Sequence, residues 1–597
     1  MTTINSTTVI GSKPAYRWPS FSLNRWSLLV FVLALAMPIS GDDYFGLIAT
    51  RGAIYWILVA GLNLVVGYAG QLAIGYVSLL TVGAYTASIL AERFGLNAAE
   101  VLVAAAVSGT ICGAVLGLPA LRLKTFYFAM TTFGFATIVT QVALGWTGLT
   151  GGGMGVPGPA MPGILGSTWA FYILCLALAA GCTWITTNIA ESHFGRALIV
   201  LRDAEVAAES NGISKPELLI VIFAFSGALA GVAGGLFASV QTYITPDAFT
   251  FDLSLLFFIT ILVGGQGSIL GPLLGTIILT ALPEFAAPLA SWSTFLYAAL
   301  LLVIVLVIPG GIAELLDFRN RRPLASSRPI VANSALLPEL LKKPEADEGI
   351  VVRGIKLSFG SVVAINGLDF NARPGEVHGL IGPNGSGKTT TLNVICGFAN
   401  PQEGSVTIAG RWLISNAPQT RAANGISRTF QTPRVVGALS VLDNVLIGGT
   451  AMVHAGFFST LLMLPRQRRE EASLKASAHL ALRTVGLDEL AHVRAGRLQH
   501  SELRFVEIAR ALMSQPAFLL LDEPAAGLSM EEISQLGLLI KGVSDCGVGV
   551  LLIEHHADFI FGICDRVTVL NLGKTLASGT PEEIRSHREV MSVYLGT

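Results

Sequence analysis

Eight consecutive residues, Gly382, Pro383, Asn384, Gly385, Ser386, Gly387, Lys388 and Thr389, fit the phosphate-loop pattern GxxxxGK[ST], and Thr390 extends the run. Glycine permits the tight turn whose backbone N–H groups cradle phosphates. Lys388 is placed to reach the β- and γ-phosphates and the Thr389 hydroxyl to ligate Mg²⁺. The flanks are those such a loop requires: an apolar strand before it, "EVHGLI" (376–381), and an apolar helical pattern after it. Further on, "FLLLDEP" (518–524) is an apolar strand ending in two carboxylates. Asp522 is placed to hold the Mg²⁺ shell and Glu523 to polarise an attacking water, the division of labour that phosphoryl transfer needs. Capping of the next helix is the bland alternative for that acidic pair, and it loses weight beside a phosphate loop. ATP and Mg²⁺ are the expected substrate and cofactor.

The elements that position this chemistry occupy less than half of the 597 residues. Hydrophobic residues make up 52% and charged residues 13%, and the apolar excess lies before about residue 310. Apolar runs near 27–47, 50–68, 72–92, 99–121, 125–145, 168–187, 216–241 and 291–309 are long enough to cross a bilayer, with room for two shorter ones between 253 and 289. The first run has no clear small-x-small cleavage site and is followed by further spans, so it reads as a span and not as a signal peptide. Lys13, Arg17, Arg25, Arg122, Lys124, Arg196, Arg202, Lys215 and the basic cluster 319–322 fall on one side when the runs are counted alternately, which places the amino end in the cytoplasm. A cytoplasmic carboxyl half then requires an even count. Ten spans fit best, and eight with a re-entrant segment at 253–268 is the alternative.

Mid-span carboxylates are absent from these runs, which argues against a proton-driven carrier. Small residues are dense in "GALAGVAGGLFA" (227–238), read as close helix packing. "GGQGS" (264–268) is read instead as a broken helix lining a solute path. Net charge is −1 without a basic tract, so nucleic acid is not an expected partner. The six cysteines are scattered, as free thiols are. The longest charged interruption, 191–217, contains "RDAEVAAESNG", whose helical spacing puts Val206, Ala207 and Ser210 on one face and ends at a glycine suited to a C-cap. A short helix with such a face can dock in a groove of a partner domain. Between 316 and 348 the chain is polar, contains proline and lacks strong periodicity, which reads as a tether.

Glu205, Ala207, Ala208 and Gly212 resemble the coupling-helix motif of bacterial ABC importer permeases. Segments 61–86, 116–135, 149–155 and 262–275 resemble the second permease of branched-chain amino acid uptake systems. In the carboxyl half the order and spacing of motifs resemble the ATP-binding subunit of ABC transporters, and 440–472 and 566–596 look like that subunit of the same importers. The resemblance implies that Phe359 stacks on adenine, that Gln431 contacts Mg²⁺ and senses the permease, and that His555 contacts the γ-phosphate. Each has a plainer alternative, as a core aromatic, a loop polar residue and a strand-end histidine. The expected fold is a multi-span α-helical membrane domain followed by an α/β P-loop ABC ATPase domain. The expected boundaries are a cytoplasmic tail at 1–24, a permease at 25–315 with its coupling helix near 202–212, a linker at 316–348 and a nucleotide-binding domain at 349–597.

In this family a signature near LSGGQ precedes a helix like "RFVEIARAL" and is offered to ATP on the facing subunit. Here Leu498, Gln499, His500, Ser501 and Glu502 hold those five positions, so the motif is degenerate. Gln499 is bulkier than the usual serine, Ser501 adds a Cβ where close approach is wanted, and Glu502 adds charge near phosphate if it points inward. Ser529 in "GLSM", where Asp or Asn is common, is a second departure. The resemblance implies a second permease, a second ATP-binding subunit, an extracytoplasmic solute-binding protein, which the outer loop 146–167 could meet, and a location in the lipid bilayer of the bacterial inner membrane. A homodimer would have two impaired sites and a heterodimer with a normal ATP-binding partner one good and one poor site, and the sequence leaves both open. Rival readings are a weakly hydrolysing scaffold or regulator and an exporter. Urea, amides and aromatic acids stay open beside branched-chain amino acids as solutes.

Overall fold

The computed structural model describes residues 42–161, 163–286, 310–315, 329–344, 348–412 and 417–590, with isolated positions between 292 and 308. Helix α1 (Asp43–Asn63) starts where the Asp42 carboxylate accepts the Tyr44 N–H at 2.9 Å. Residues 43–47, expected to close the first span, therefore open the next helix. The rest of that first run lies outside the described residues, as does most of 291–309.

Helix α1 runs on through a π-helical turn at Leu64–Tyr68, after which Ala69–Tyr76 is not helical. The run expected as a span from 72 becomes helical only at α2 (Val77–Phe94). Then come α3 (Ala98–Ala120), α4 (Thr125–Gly145), the two-residue strand β1 (Val156–Pro157) and α5 (Thr168–Ala190). The polar interruption forms α6 (His193–Asp203) and α7 (Glu205–Ser210), and it is followed by α8 (Lys215–Val240). Strand β2 (Tyr243–Ile244) pairs antiparallel with β1, and α9 (Phe251–Gly264) and α10 (Gly271–Ala286) complete the described bundle. Among the described residues six helical stretches are long and apolar enough to cross a membrane.

Helix α8 is the centre, packed on α1, α2 and α3. Its small residues serve close packing as expected: a Cβ on Gly227 would lie 2.2 Å from the Gly109 carbonyl oxygen. The chain does break between α9 and α10, but not at mid-depth. Asn63 donates to the Ser268 carbonyl at 2.9 Å and accepts the Gly267 N–H at 3.0 Å, and Gln266 donates to the Val66 carbonyl at 3.0 Å. Arg202, at the end of α6, donates to the Gly67 carbonyl at 2.6 Å, so "GGQGS" sits at the end of the bundle nearest the ATPase domain. A second irregular stretch, 69–76, runs from that end, where Gly70 packs on Arg202, into the bundle, where the Tyr76 hydroxyl donates to the carbonyl of Ser226 near the middle of α8.

The tether reading fails for 329–344. Leu337 and Leu340 are buried in the ATPase core, the Asn333 N–H donates to the Thr484 carbonyl at 2.8 Å, and the Ala332 N–H donates to Gln535 Oε1 at 3.0 Å. Apolar burial outweighs the polar composition of the segment.

The ATPase domain has two sheets. Strands β3 (Ile350–Phe359), β4 (Val362–Ala372), β6 (Glu403–Ile408) and β7 (Arg411–Trp412) form an antiparallel sheet in the order β4-β3-β6-β7. Strands β5 (Val377–Ile381), β8 (Ile426–Arg428), β9 (Phe518–Asp522), β10 (Gly549–Ile553), β11 (Arg566–Asn571) and β12 (Lys574–Gly579) form the second, in the order β12-β11-β5-β10-β9-β8, parallel except at β12. Every residue of β5, β9 and β10 is buried, which is why these strands read as continuous apolar runs. Around the sheets lie α11 (Lys388–Ile395), α12 (Pro418–Ala423), α13 (Val441–Ile447), α14 (Phe457–Leu461), α15 (Pro465–Thr484), α16 (His500–Met513) and α17 (Met530–Asp545).

Candidate nucleotide site and its link to the permease

The phosphate loop joins the carboxyl end of β5 to the start of α11. Gly387 has φ +102°, and a Cβ there would meet the Ala364 carbonyl oxygen at 2.6 Å, so only glycine fits the turn. No side chain caps α11, which leaves its first N–H groups directed at whatever the loop encloses. Lys388 curls back, donating to the carbonyls of Gly382 at 2.8 Å and Pro383 at 3.0 Å. Burial holds its ammonium below the ordinary lysine value, opposed by the charges of Glu523 and Asp522. Asn384, Gly385 and Thr389 are exposed, Thr390 is half-buried, and the buried Ser386 hydroxyl has no partner among the described residues. Phe359 is 57% exposed at the end of β3, so the core-aromatic alternative fails and its ring is open to a flat ligand.

The carboxylates lie at the end of β9. Asp522 is buried and ion-paired to Arg428 at 3.0 Å, and its Oδ1 has no partner among the described residues. Burial lifts its carboxyl above the ordinary range despite Arg428. A divalent cation would satisfy that oxygen and reverse the shift, so Asp522 and the exposed Thr389 hydroxyl fit Mg²⁺. Glu523 has φ +49°, a strained conformation for a non-glycine residue, held by its N–H bond to the Ile553 carbonyl at 2.9 Å. That twist presents its carboxylate to two residues named from resemblance. Gln431 Nε2 donates to Glu523 Oε2 at 3.0 Å, and His555 Nε2 lies 2.9 Å from Glu523 Oε1. Gln431, Glu523 and His555 thus meet at one point, while Phe359 stands apart on the other sheet. The arrangement orients a carboxylate and can accept a proton from water beside phosphate.

Two supports escaped the sequence reading. Buried Glu554 accepts the Ala525 N–H at 2.6 Å and the His555 N–H at 3.0 Å, tying together the loops after β9 and β10. On α16, buried Arg504 donates to the carbonyls of Phe430 at 2.5 Å and Gln431 at 2.6 Å. Glu507 accepts the Arg434 N–H at 3.0 Å, and Arg510 donates to the Arg434 carbonyl at 2.7 Å. Charges three apart on an otherwise apolar helix face were the available signal.

Leu498 is half-buried, whereas Gln499 and His500 are exposed at the start of α16. Glu502 is buried and turned back to accept the Gln499 N–H at 2.8 Å, so it does not point outward. Ser501 lies beside Glu532 of α17 and favours its ionised form. Burial alone would raise that carboxyl, but the Ser529 N–H and the Ser501 and Ser529 hydroxyls hold it below its ordinary value. Ser529 caps α17 through Glu532, the Ser529 N–H donating to Oε2 at 2.8 Å.

Helix α7 rests on α12 of the same chain. Ala207, Ala208 and Ser210 are buried, and a Cβ on Gly212 would lie 3.1 Å from Ala451 Cβ. Glu205 is exposed and ion-paired to Lys215 at 2.6 Å. Val206, expected on the docking face, is 41% exposed, since Ala208 takes its place. Val436, Leu439 and Ile447, just after Gln431, are buried in the permease core.

The family models divide the chain as this geometry does. Residues 44–308 match a branched-chain amino acid transport system permease component, 365–526 match an ABC transporter, and 574–597 match a branched-chain amino acid ATP-binding cassette transporter. The high-affinity branched-chain amino acid transport ATP-binding protein LivG of Salmonella typhimurium is 40% identical over 41% of this chain and 97% of its own length. The chain belongs to the branched-chain amino acid ABC transporter family. BraF of Pseudomonas aeruginosa, another family member named for high-affinity branched-chain amino acid transport, is 37% identical over 41% of this chain and 96% of its own length. A crystal structure of a nucleotide-free ATP-binding cassette from an ABC transporter is 31% identical, covers 42% of this chain and 100% of its own, and gives a TM-score of 0.37. This family member fuses a membrane permease domain to an ATPase domain of P-loop fold, and hydrolysis of ATP with Mg²⁺ is coupled to transport.

Proposed function

We propose that the chain is one permease half and one ATP-binding half of a bacterial inner-membrane importer for branched-chain amino acids or related small polar solutes. The permease extends over 25–315 and the nucleotide-binding domain, facing the cytoplasm, over 349–597. A second permease subunit, a second ATP-binding subunit and an extracytoplasmic solute-binding protein complete the transporter. What carries this reading is the meeting of Gln431, Glu523 and His555 beside the phosphate loop, in a domain whose helix α16 opens without the usual signature.

In this reading Phe359 stacks on the base, and the loop Gly382–Thr389 with Lys388 holds the phosphates. Thr389, Asp522 and Gln431 would hold Mg²⁺, which would supply charge neutralisation to the phosphates. Glu523 accepts the proton of the attacking water, and His555 positions that carboxylate and contacts the γ-phosphate. Leu498–Glu502 would face ATP held by the partner subunit, so this chain's own site draws its signature from the partner. Pairing with a normal ATP-binding subunit then gives one strong and one weak site.

Phosphate release by the purified chain, alone and with a candidate ATP-binding partner, tests the pairing. The expected result is a rate above the sum of the two alone, lost with Glu523→Gln. A sum that is merely additive and indifferent to that change would sink it. Uptake of labelled leucine by cells with and without the chain tests the import role.

A further inference from the structure

Helix α6 makes contacts at both ends that docking of the coupling helix does not require. Near its start Arg196 forms a two-pronged pair with Glu471 of α15, Nη1 to Oε1 at 2.8 Å and Nη2 to Oε2 at 3.0 Å. Both side chains are almost fully buried, at 5% and 12% exposure. Beside this pair, Asn188 at the end of α5 donates to the Leu461 carbonyl at 2.9 Å. The Phe457 ring packs edge-on between Phe194 and Phe225 at 5.4 and 5.5 Å. Burial pushes the neighbouring His193 down to about 4, so it is neutral near pH 7 and does not compete with Arg196 for Glu471. Lys475, 3.6 Å from Glu471, is a second, more exposed cation at the carboxylate. This contact uses 457–471 of the ATPase domain, whereas α7 uses α12 and Ala451.

At the other end of α6, Arg202 grips the Gly67 carbonyl in the π-helical turn of α1, the turn that also holds the α9–α10 break through Gln266. One short helix is thus pinned to the ATPase domain at one end and hooked on the irregular backbone of the permease at the other. Buried bidentate pairs are geometrically strict, so a displacement of Glu471 carries Arg196 with it.

We propose that α6 is a second transmission element, separate from coupling helix α7, in which the Arg196–Glu471 pair pins the ATPase domain to a helix that moves the Leu64–Tyr68 turn through Arg202. Arg196, Glu471 and Arg202 are positioning residues, and the inference rests on the import reading above.

The test uses cells carrying the complete transporter, with leucine uptake and membrane protein level measured in the cells and ATP hydrolysis in the purified complex. Glu471→Gln is expected to lower uptake per ATP hydrolysed about tenfold while hydrolysis stays within about twofold, because the pin is lost and the chemistry is untouched. The exchange R196E with E471R is expected to restore most of that ratio. Unchanged coupling in Glu471→Gln overturns the inference. If the single changes lower the protein level, the exchange decides: recovered level and coupling support the pin, and recovered level without coupling, or no recovery, overturns it. No uptake difference between wild type and cells lacking the chain would instead remove the import reading itself.

Discussion

Two helices of the ATPase domain begin in opposite ways. Helix α11 opens behind a glycine loop with its first N–H groups uncapped, and Lys388 folded beside them. Helix α16 opens behind Gln499, and its own Glu502 bends back to take the Gln499 N–H. An uncapped amino end invites an anion, while a carboxylate in the first turn already answers the helix dipole and repels one. In the proposed pairing, the first end would serve this chain's own ATP and the second would offer a neighbour a poor surface.

The largest expected effect breaks the strong side. Glu523→Gln keeps the contact to Gln431 but removes the base, and phosphate release by the complex should fall about 10²–10⁴-fold. ATP binding, followed with a fluorescent nucleotide, should persist. An unchanged rate would mean that the partner's site does all the work. The next change repairs the weak side. Gln499→Ser, Ser501→Gly and Glu502→Gln together should raise the rate of the complex about tenfold or more if the first turn of α16 limits it. No rise would erase the asymmetry.

A smaller effect separates cap from function. Glu502→Ala should cost about 1 kcal/mol of domain stability, seen as a lower Tm, because the Gln499 N–H loses its acceptor. The smallest concerns pH. Glu532 is held below its ordinary value in the fold, so the stability it contributes is present above about pH 4.3 and lost as pH falls through the folded value. Ser501→Ala removes a neighbouring hydroxyl that favours its ionised form. The variant should melt below wild type at pH 7, and the gap should close as pH falls below about 4.

The fold was legible where neighbours in sequence do the work. Continuous apolar strands such as "FLLLD" and the glycines of the phosphate loop declare themselves locally. Residues 69–76 did not, because the apolar run through "QLAIGYVSLL" hides a helix that starts only at Val77. In the docked linker, "ALLPELL" is a short apolar stretch among polar neighbours, and what it packs on is an ATPase surface that the segment itself does not contain. Arg504, Glu507 and Arg510 carry no local sign of what they hold. Only the loop at 430–434, whose backbone they hold, explains their burial.

The sequence by itself determined the phosphate loop, the carboxylate pair and the division into an apolar and an α/β half, since each is set by side-chain chemistry over a few consecutive positions. The tertiary structure decided which distant groups meet. It brought Gln431 and His555 to Glu523, turned Glu502 away from the surface, and set Arg196 against Glu471 across 275 positions of chain. Such meetings depend on how buried helices and sheets pack against one another, and no local periodicity encodes that.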